Sequence, residues 1–202
     1  THKLNEVMKV ADRITVIRDG KTVDMLDVTT GEVDEDRIIK AMVGRDLTDR
    51  YPPRSVPIGE PVLEVKNWNV YHPLHSDRHT IRDVSLNVRA GEVVGIAGLM
   101  GAGRTEFAMS LFGRSWGQKI SGEVLMHGKP VDVSSIPKAT KAGLAYVTED
   151  RKTYGLVLID HIKHNTTLAN LPGVSSRGVV DEMQELKVAN KYRKDLKIRS
   201  SG

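Results

Sequence analysis

The stretch GIAGLMGAGRTE, at residues 95–106, constrains the fold of this chain more than any other. Gly98, Gly103 and Thr105 stand at the spacing of the phosphate-loop pattern G-x-x-x-x-G-K-[ST]. Arg104 is the one departure, since the pattern has lysine at that position. The glycines allow successive backbone N–H groups to face an anion, and the helix that follows adds the positive end of its dipole. The stretch therefore predicts a loop that grips phosphate groups.

The residues on either side of the loop have the patterns that the motif requires. Residues 92–98, EVVGIAG, form a continuous apolar run, which predicts a strand buried on both faces. Residues 104–113, RTEFAMSLFG, predict a helix that ends at Gly113. The loop is thus expected between a strand and a helix. Without that context, the ordinary interpretation would be a glycine-rich turn with no ligand.

The rest of the second half of the chain alternates between strand and helix patterns. Strands are predicted at 61–72, 79–92 and 144–150, and a strand pair around a His-Gly turn at 120–131. A helix with a serine cap is predicted at 134–143, ending at Gly143. Residues 165–171 and 179–196 also read as helical, and the second of these places Val180, Met183, Leu186 and Val188–Ala189 near one face.

The first part of the chain has a separate pattern. Residues 12–28 predict a β-hairpin with Asp19-Gly20 as its turn. Residues 34–43 predict a short helix that begins with acidic side chains and is followed by Gly44. Residues 46–61 contain four prolines and no periodicity, so they predict a linker. We therefore expect a first unit at 1–47, a linker at 48–60 and a second unit at 61–202.

Composition excludes several classes of protein. The chain has no cysteine, which excludes disulfides and thiolate metal sites. No apolar run approaches the roughly 20 residues that span a bilayer. The net charge of +4 is compatible with a nucleotide or an anionic membrane surface as partner, but it does not require nucleic acid. His72, His75, His79 and Asp77 cluster in the sequence, and their loop-like surroundings predict a solvated surface segment rather than a metal site.

The exchange of lysine for arginine bears on hydrolysis more than on binding. Backbone amides hold the phosphates, and the Thr105 hydroxyl stands where the motif binds Mg²⁺. Arginine is planar and broader than lysine, so Arg104 should not occupy the same slot. Hydrolysis also needs a carboxylate near the metal, and Asp160, at the end of GLVLID, is the best local candidate. We expect a loop that binds nucleotide and hydrolyses it slowly or not at all.

Several longer segments resemble one family. LEVKNWNVY at 63–71, the run from Thr80 into the phosphate loop, and ISGEVLMHGKPV at 120–131 are similar to the ATP-binding domain of ABC transporters. GLAYVTEDRKTYGLVLIDHIKHNTTLANL, at 143–171, resembles the second ATP-binding half of importers for ribose, galactose and xylose, where arginine in the phosphate loop is common. Residues 1–21 resemble the end of the first half. The resemblance implies an α/β P-loop NTPase fold with an antiparallel β-subdomain and the start of a helical subdomain.

The resemblance also implies roles for particular residues. Glu149 matches the switch position that couples nucleotide to the membrane subunits, His2 matches the histidine that senses the γ-phosphate, and Tyr71 matches the aromatic that stacks on adenine. Asp160 falls in the helical subdomain, which disfavours it as a metal carboxylate. Thr105 is the expected Mg²⁺ ligand. The residues expected to bind ATP are Gly98, Gly101, Ala102, Gly103, Arg104, Thr105, Glu106 and Tyr71.

The family's full subunit has two fused halves, so the resemblance implies a central fragment. Residues 1–56 match one half and 57–202 the next, without the signature LSGG or a metal-binding strand. His2 and the loop would then serve different nucleotides, and the fragment alone would be inactive. The expected partners are membrane-spanning permease subunits, the missing halves of the same subunit and, indirectly, a periplasmic sugar-binding protein. The expected location is the cytoplasmic face of the inner membrane, as a peripheral protein.

Three alternatives to an ATP-hydrolysing motor stay open at this point. A binding module would hold ATP structurally at the site with Arg104 while another site does the chemistry. A small P-loop kinase would need an acceptor site and an arginine-rich lid, which the sequence does not contain. A nucleic-acid-binding protein would need aromatic residues interleaved with lysine and arginine, and these are also missing.

Overall fold

A computed structural model describes residues 3–31, 33–44 and 53–200 of the chain. The chain divides into two units, Thr1–Pro57 and Ile58–Gly202, and each is described by itself. In the described residues, no helix is long and apolar enough to cross a membrane.

The first unit is a hairpin with a helix on either side of it in sequence. It consists of α1 (Leu4–Val10), β1 (Arg13–Arg18), β2 (Lys21–Asp27), a 3₁₀ turn (Val28–Thr30) and α2 (Glu35–Val43). The predicted hairpin is confirmed, since β1 and β2 pair antiparallel around Asp19 and Gly20, whose φ angles are 51° and 77°. Two positive φ angles are what a tight hairpin turn needs to match the strand twist.

The predicted helix at 34–43 is also confirmed. The Asp34 carboxylate accepts a hydrogen bond from the Arg37 amide at 2.7 Å and so caps α2. Gly44 ends the helix in the left-handed conformation, with φ of 81°. Ile38 of α2 is 1% exposed. The buried core of this unit consists of Ile14, Val16, Leu26, Val33 and Ile38.

The second unit is built on a four-stranded antiparallel sheet. Its strands are β3 (Pro61–Tyr71), β4 (His79–Arg89), β5 (Gln118–Met126) and β6 (Lys129–Pro130), in the order β4-β3-β5-β6. The strands predicted at 61–72, at 79–92 and around the His127-Gly128 turn are therefore confirmed. Alternation of apolar and polar residues gives this sheet one face that is packed on a core.

Helices and short turns complete the second unit. They are α3 (Arg104–Leu111), α4 (Ile136–Lys141), a π-helical turn (Arg151–Gly155), α5 (Ile162–Thr167), a 3₁₀ segment (Leu168–Val174), the short pair β7 (Ser175–Ser176) and β8 (Val179–Val180), and α6 (Glu182–Asp195). The predicted helix after the loop is confirmed. The predicted serine cap of α4 is wrong in its detail, because Ser135 precedes the helix but its side chain makes no capping hydrogen bond.

The strands predicted at 92–98 and 144–150 are not formed. Both segments lack regular secondary structure. A strand buried on both faces needs hydrogen-bonded neighbours, and no strand in the described residues pairs with either segment. Several of their apolar side chains stay exposed, including Val93 at 74% and Val147 at 93%. An apolar run alone is therefore not sufficient to form a strand.

The face predicted for the last helix also needs correction. Met183 is 76% exposed and Leu186 is 45% exposed, whereas Glu185 is 3% exposed. Val180 lies in β8 rather than in the helix. Glu185 is buried because it has specific partners: the Thr167 hydroxyl donates to it at 2.8 Å, and the Lys163 ammonium lies 2.8 Å away. The prediction is right for Val188 and Ala189, which are half-buried, and wrong for Met183 and Leu186. A hydrophobic pattern cannot reveal an ion pair of the kind that buries Glu185.

Candidate functional site

The predicted phosphate loop forms a turn that leads directly into α3. The Ala102 amide donates to the Leu99 carbonyl at 3.0 Å, which closes the turn. Gly101 and Gly103 have φ angles of 79° and 88°, in the left-handed region that favours glycine. In the described part of the chain, the amides of Gly101, Gly103, Arg104 and Thr105 donate no hydrogen bond. Unpaired amides at the start of a helix form a site for an anion.

Close packing explains why glycine is required at both ends of the loop. A Cβ atom on Gly98 would lie 2.9 Å from the Ala102 Cβ, and one on Gly103 would lie 2.8 Å from the Ile81 Cδ1. A Cβ on Gly101 would meet nothing within 4 Å, so the middle of the loop faces open space. The loop is therefore packed against the sheet at its end and open at its centre, where a phosphate would enter.

A buried hydrogen bond fixes the helix that carries the unpaired amides. Trp68 of β3 is 1% exposed, and its indole Nε1 donates to the Ser110 hydroxyl of α3 at 3.0 Å. Ser110 in turn donates to the Phe107 carbonyl at 2.8 Å. Phe107 packs in the same core as Trp68 and Ile81. These contacts hold α3 on the sheet and so fix the direction in which its first amides point.

Arg104 folds back across its own loop. Its guanidinium Nη2 lies 3.5 Å from the Leu99 carbonyl oxygen. Its Cδ and Nε would lie 3.6 Å and 3.8 Å from a Cβ atom on Gly98. The guanidinium therefore lies beside the first half of the loop, and the side chain is exposed to solvent. A planar cation in this place can meet a phosphate without entering the turn.

The residues after Arg104 differ in what they offer to a metal ion. The Thr105 side chain is exposed, and its hydroxyl makes no hydrogen bond within the described residues, so it is available to Mg²⁺. Glu106 is half-buried in the first turn of α3. Hydroxyl oxygen is a ligand type that Mg²⁺ accepts. The loop residues therefore fit a Mg²⁺-nucleotide through backbone amides, one hydroxyl and one guanidinium.

Glu149 lies near the end of an extended segment that shares a cavity with the residues preceding the loop. Leu144 and Tyr146 line an apolar cavity of about 220 Å³ together with Val94, Ile96 and Leu111. The segment carrying Glu149 and the segment preceding the loop thus form walls of one cavity. The Glu149 side chain is exposed and makes no hydrogen bond within the described residues.

The turn after Glu149 is capped by its neighbour. The Asp150 carboxylate accepts hydrogen bonds from the Thr153 amide at 3.0 Å and the Lys152 amide at 3.1 Å. Hydrogen bonding from Thr153, with a smaller contribution from Lys152, lowers the pKa of Asp150 below its usual value. Asp150 therefore stays ionised and holds the Arg151–Gly155 turn.

Tyr71 is already in contact with another ring. The His79 imidazole stacks on it, with 4.4 Å between ring centroids and an angle of 4° between planes. The neighbouring His72 and His75 rings lie 4.9 Å apart. In the described residues, no group of three or more histidine or acidic side chains could hold a metal ion. His2, which the resemblance matches to a histidine that senses the γ-phosphate, lies outside the described residues.

The sequence profile of the ABC transporter family matches residues 81–199, which include the loop, α3 and the segment with Glu149. The chain belongs to the ABC transporter family. Its α/β fold is accordingly that of the P-loop ATP-binding domain of ABC transporters.

Three curated relatives in the ABC transporter family match nearly the whole chain. It is 56% identical over 200 residues to the L-arabinose transport ATP-binding protein AraG of Geobacillus stearothermophilus, covering 99% of this chain and 39% of the relative. It is 44% identical over 200 residues to the xylose import ATP-binding protein XylG of Thermoanaerobacter pseudethanolicus, covering 99% and 39%. It is 41% identical over 201 residues to the ribose import ATP-binding protein RbsA of Bacillus subtilis, covering 100% and 38%. The chain thus spans under two fifths of these relatives' length.

Asp160 in this ABC transporter chain is engaged in local contacts. Its Oδ1 lies 2.7 Å from the His164 Nδ1 and accepts from the His161 amide at 2.7 Å. Hydrogen bonding from His164, and then from the His161 amide, lowers the pKa of Asp160 below its usual value. These contacts give Asp160 a structural role just before α5.

Sequence reasoning missed one residue that fixes the same region. The Asn165 side chain of α5 accepts a hydrogen bond from the Val157 amide at 2.8 Å and donates to the Val157 carbonyl at 3.0 Å. It also donates to the His161 carbonyl at 3.1 Å. This clamp joins the segment after the π-helical turn to α5. Asparagine is common in many surroundings, so no signal in the sequence pointed to it.

Proposed function

We propose that the chain is an ATP-binding segment of the motor subunit of a monosaccharide importer. The observation that carries this proposal is the set of four unpaired amides that runs from the open centre of the loop, at Gly101, to the first turn of α3. The relatives are named as L-arabinose transport, xylose import and ribose import ATP-binding proteins, and these names support a pentose or a related sugar as cargo. The sugar itself would be recognised by other subunits.

The proposed site would bind the phosphates through backbone amides and would use side chains to hold Mg²⁺ and to sense the nucleotide. The amides of Gly101, Gly103, Arg104 and Thr105 would bind phosphate oxygens, with Gly98 and Ala102 shaping the turn. Mg²⁺, when bound, neutralises phosphate charge, and the Thr105 hydroxyl would be its protein ligand. Glu149 would sense the bound nucleotide and pass its presence to the permease subunits. His2 would serve the γ-phosphate of a different nucleotide.

The domain assignment and the location are parts of the same proposal. Residues 1–47 would be the end of one ATP-binding domain, 48–60 a linker, and 61–202 the first part of a second domain. The partners would be permease subunits in the membrane, the other parts of the ATP-binding subunit and, through the permease, a periplasmic sugar-binding protein. The protein would work at the cytoplasmic face of the inner membrane. We expect no nucleic acid as partner.

A matched pair of glycine variants tests nucleotide binding by the chain. Gly101 and Gly128 have φ angles of 79° and 73°, and a Cβ on either would meet nothing within 4 Å. Gly101→Asp places a negative charge in the loop, whereas Gly128→Asp places it in the β5–β6 turn. We expect a calorimetric ATP titration to show at least a tenfold loss of affinity for Gly101→Asp and none for Gly128→Asp, because repulsion between two unit charges 4 Å apart costs about 1–4 kcal/mol between the dielectric constant of water and that near a protein surface. Equal affinities for the two variants would contradict the proposal.

A second candidate function is favoured by the position of Arg104. Its guanidinium contacts the Leu99 carbonyl rather than reaching into the turn. Under this alternative, the site holds ATP structurally while a partner site hydrolyses it. In the complete subunit, Arg104→Lys would then raise ATP turnover, whereas in a fully active site it would not. For the 202 residues alone, we expect no ATPase activity above background in a steady-state phosphate-release assay, since LSGG does not occur in them and Asp181-Glu182 follows only the two-residue strand β8 and caps α6.

A further inference from the structure

One side chain, that of Asn165, joins the segment that carries Glu149 to the helices that follow it. The Asn165 carboxamide accepts a hydrogen bond from the Val157 amide at 2.8 Å and donates to the Val157 carbonyl at 3.0 Å, so it engages both backbone groups of one residue. A carboxamide can do this because it carries both an acceptor and two donor hydrogens. Its Nδ2 also donates to the His161 carbonyl, at 3.1 Å. These contacts fix the position of Val157 relative to α5.

Few other contacts can take the place of this clamp. In the described part of the chain, the hydrogen bonds of Asn165 are the only ones that join residues 149–157 directly to α5. An indirect connection runs through Asp160, whose amide donates to the Val157 carbonyl at 3.0 Å and whose carboxylate contacts His164. The Ile159 side chain between them is 99% exposed, and exposed segments with few packed contacts open easily. Removing the Asn165 carboxamide would therefore leave only the indirect connection.

On the side of the phosphate loop, packed and capped groups lead up to Val157. The Phe112 ring, directly after α3, lies 6.0 Å from the Tyr146 ring, measured between centroids. Both rings line the cavity of about 220 Å³ that the segments before the loop and before Glu149 share. The Asp150 carboxylate then caps the π-helical turn that separates Glu149 from Val157. A displacement of the loop, α3 or Glu149 therefore has a contiguous route to Val157.

On the far side of the clamp, α5 is joined to α6 by the buried Glu185. The Glu185 carboxylate accepts a hydrogen bond from the Thr167 hydroxyl at 2.8 Å and lies 2.8 Å from the Lys163 ammonium, and both partners belong to α5. Glu185 itself is on α6 and is 3% exposed. Hydrogen bonds that involve a charged group are stronger than those between neutral groups. A displacement of α5 would therefore carry α6 with it.

We propose that Asn165 is the positioning residue that transmits nucleotide binding from the Glu149 segment to α5 and α6, through its hydrogen bonds to both backbone groups of Val157. The proposal rests on the proposed function, because it requires ATP in the phosphate loop and a response of Glu149 to it. The resemblance to ABC transporters assigns the switch position to Glu149 and does not involve Asn165. Contiguous packed and hydrogen-bonded groups make such coupling physically possible, and a response measured at a distance establishes it.

The test measures the response of α5 and α6 to Mg²⁺-ATP in the ¹⁵N-labelled chain. In the wild type, ATP should shift the backbone amide signals of Thr167 and Glu185 with the same midpoint as the signal of Gly101 in the loop. In Asn165→Ala, the midpoint at Gly101 should stay within about threefold, because the clamp does not contact the loop, whereas the ATP-induced shifts of Thr167 and Glu185 should fall below about one third of their wild-type size. Asn190→Ala, which removes an exposed asparagine from α6, should respond as the wild type does.

A second variant separates transmission from a purely structural role. Asn165→Asp keeps the acceptor for the Val157 amide and loses the donated hydrogen bonds, so α5 stays attached while its hold on Val157 becomes one-sided. We expect the ATP-free signals of α6 to match the wild type in this variant, and the ATP-induced shift of Glu185 to fall to roughly half.

Three results would overturn the proposal. One is a wild-type response to ATP at Glu185 in either Asn165 variant. Another is a change of the ATP-free α6 signals in both variants, because Asn165 would then only hold the helices together. The third is a wild-type chain in which Gly101 shifts with ATP while Thr167 and Glu185 stay fixed. A Gly101 signal that stays fixed at saturating ATP would instead refute the proposed function.

Discussion

The antiparallel sheet and the two extended segments at 92–98 and 144–150 have similar apolar content but different structures. In the sheet, Trp68 and Val70 are 1% and 0% exposed, whereas Val93 and Val147 in the extended segments are 74% and 93% exposed. Strands β3 and β4 are neighbours in sequence and pair directly. A strand buried on both faces needs neighbours that arrive by crossover connections. The β3–β4 pair therefore needs only neighbouring segments of the chain, whereas the two extended segments would need paired strands supplied by other parts of a parallel sheet.

The largest expected effect tests whether the sheet carries the stability of the second unit. Trp68→Ala removes a buried side chain and leaves Ser110 without its indole donor, so it should lower the free energy of unfolding by about 3–5 kcal/mol. Val147→Ala, in an extended segment, should change it by less than about 0.5 kcal/mol. Urea unfolding followed by far-UV circular dichroism and by the fluorescence of Trp116 measures both. Similar losses in the two variants would mean that the segments are as well packed as the sheet.

Two glycines, one in the sheet and one in an extended segment, allow a second test of the same comparison. A Cβ on Gly122 of β5 would lie 2.8 Å from the backbone oxygens of Asn67 and Lys66, and its φ is 121°. Gly122→Ala should therefore cost about 1–3 kcal/mol, because backbone atoms cannot move aside cheaply. A Cβ on Gly95, in an extended segment, would meet nothing within 4 Å.

The expected result for Gly95→Ala has the opposite sign. Alanine there reduces the freedom of the unfolded chain and should stabilise the unit by about 0.4–1 kcal/mol. The quantity to compare is the urea midpoint of Gly122→Ala with that of Gly95→Ala, when the slope of unfolding free energy against urea concentration is the same for both. A destabilising Gly95→Ala would show that residues 92–98 are more closely packed in solution than their exposed side chains indicate.

The smallest expected effect concerns a contact that depends on charge instead of strand pairing. The Lys163 ammonium, and after it the Thr167 hydroxyl, lower the pKa of Glu185 below its usual value. Because the folded-state pKa is the lower one, this stabilisation is present above the unfolded-state pKa of about 4.3 and is lost as the pH falls through the folded-state value. Glu185→Gln should remove this part of the acid sensitivity. Thermal unfolding at pH 7 and at pH 3 measures it; an unchanged pH dependence in the variant would contradict this account.

The sequence predicted the elements whose partners are close in the chain. The hairpin around Asp19-Gly20, the strand pair around His127-Gly128 and the capped helix α2 each follow from local turn or cap chemistry, and all three are present. The loop and α3 were also located correctly. The roles of Glu149, Tyr71 and His2 stay predictions, because they depend on a bound nucleotide.

What the sequence could not predict depends on contacts between distant residues. The burial of Glu185 requires Lys163 and Thr167 on another helix, and the stacking of His79 on Tyr71 requires a bulge between two strands. The hydrogen bond from Trp68 to Ser110 joins residues on a strand and a helix far apart in the chain. Periodicity identifies the face of one element, but it does not identify a polar partner on another element.

The most direct test of the central claim observes the loop amides themselves. We predict that adding Mg²⁺-ATP to the ¹⁵N-labelled chain shifts the backbone amide signals of Gly101, Gly103, Arg104 and Thr105 downfield in a saturable titration, as hydrogen bonds to phosphate form. The Gly128 amide, in the β5–β6 turn, should not shift and serves as the control. Loop amide signals that stay fixed at saturating ATP would contradict the claim that this loop holds the nucleotide. Shifts confined to residues 156–198, which include α5 and α6 and lie outside the loop, would also contradict it.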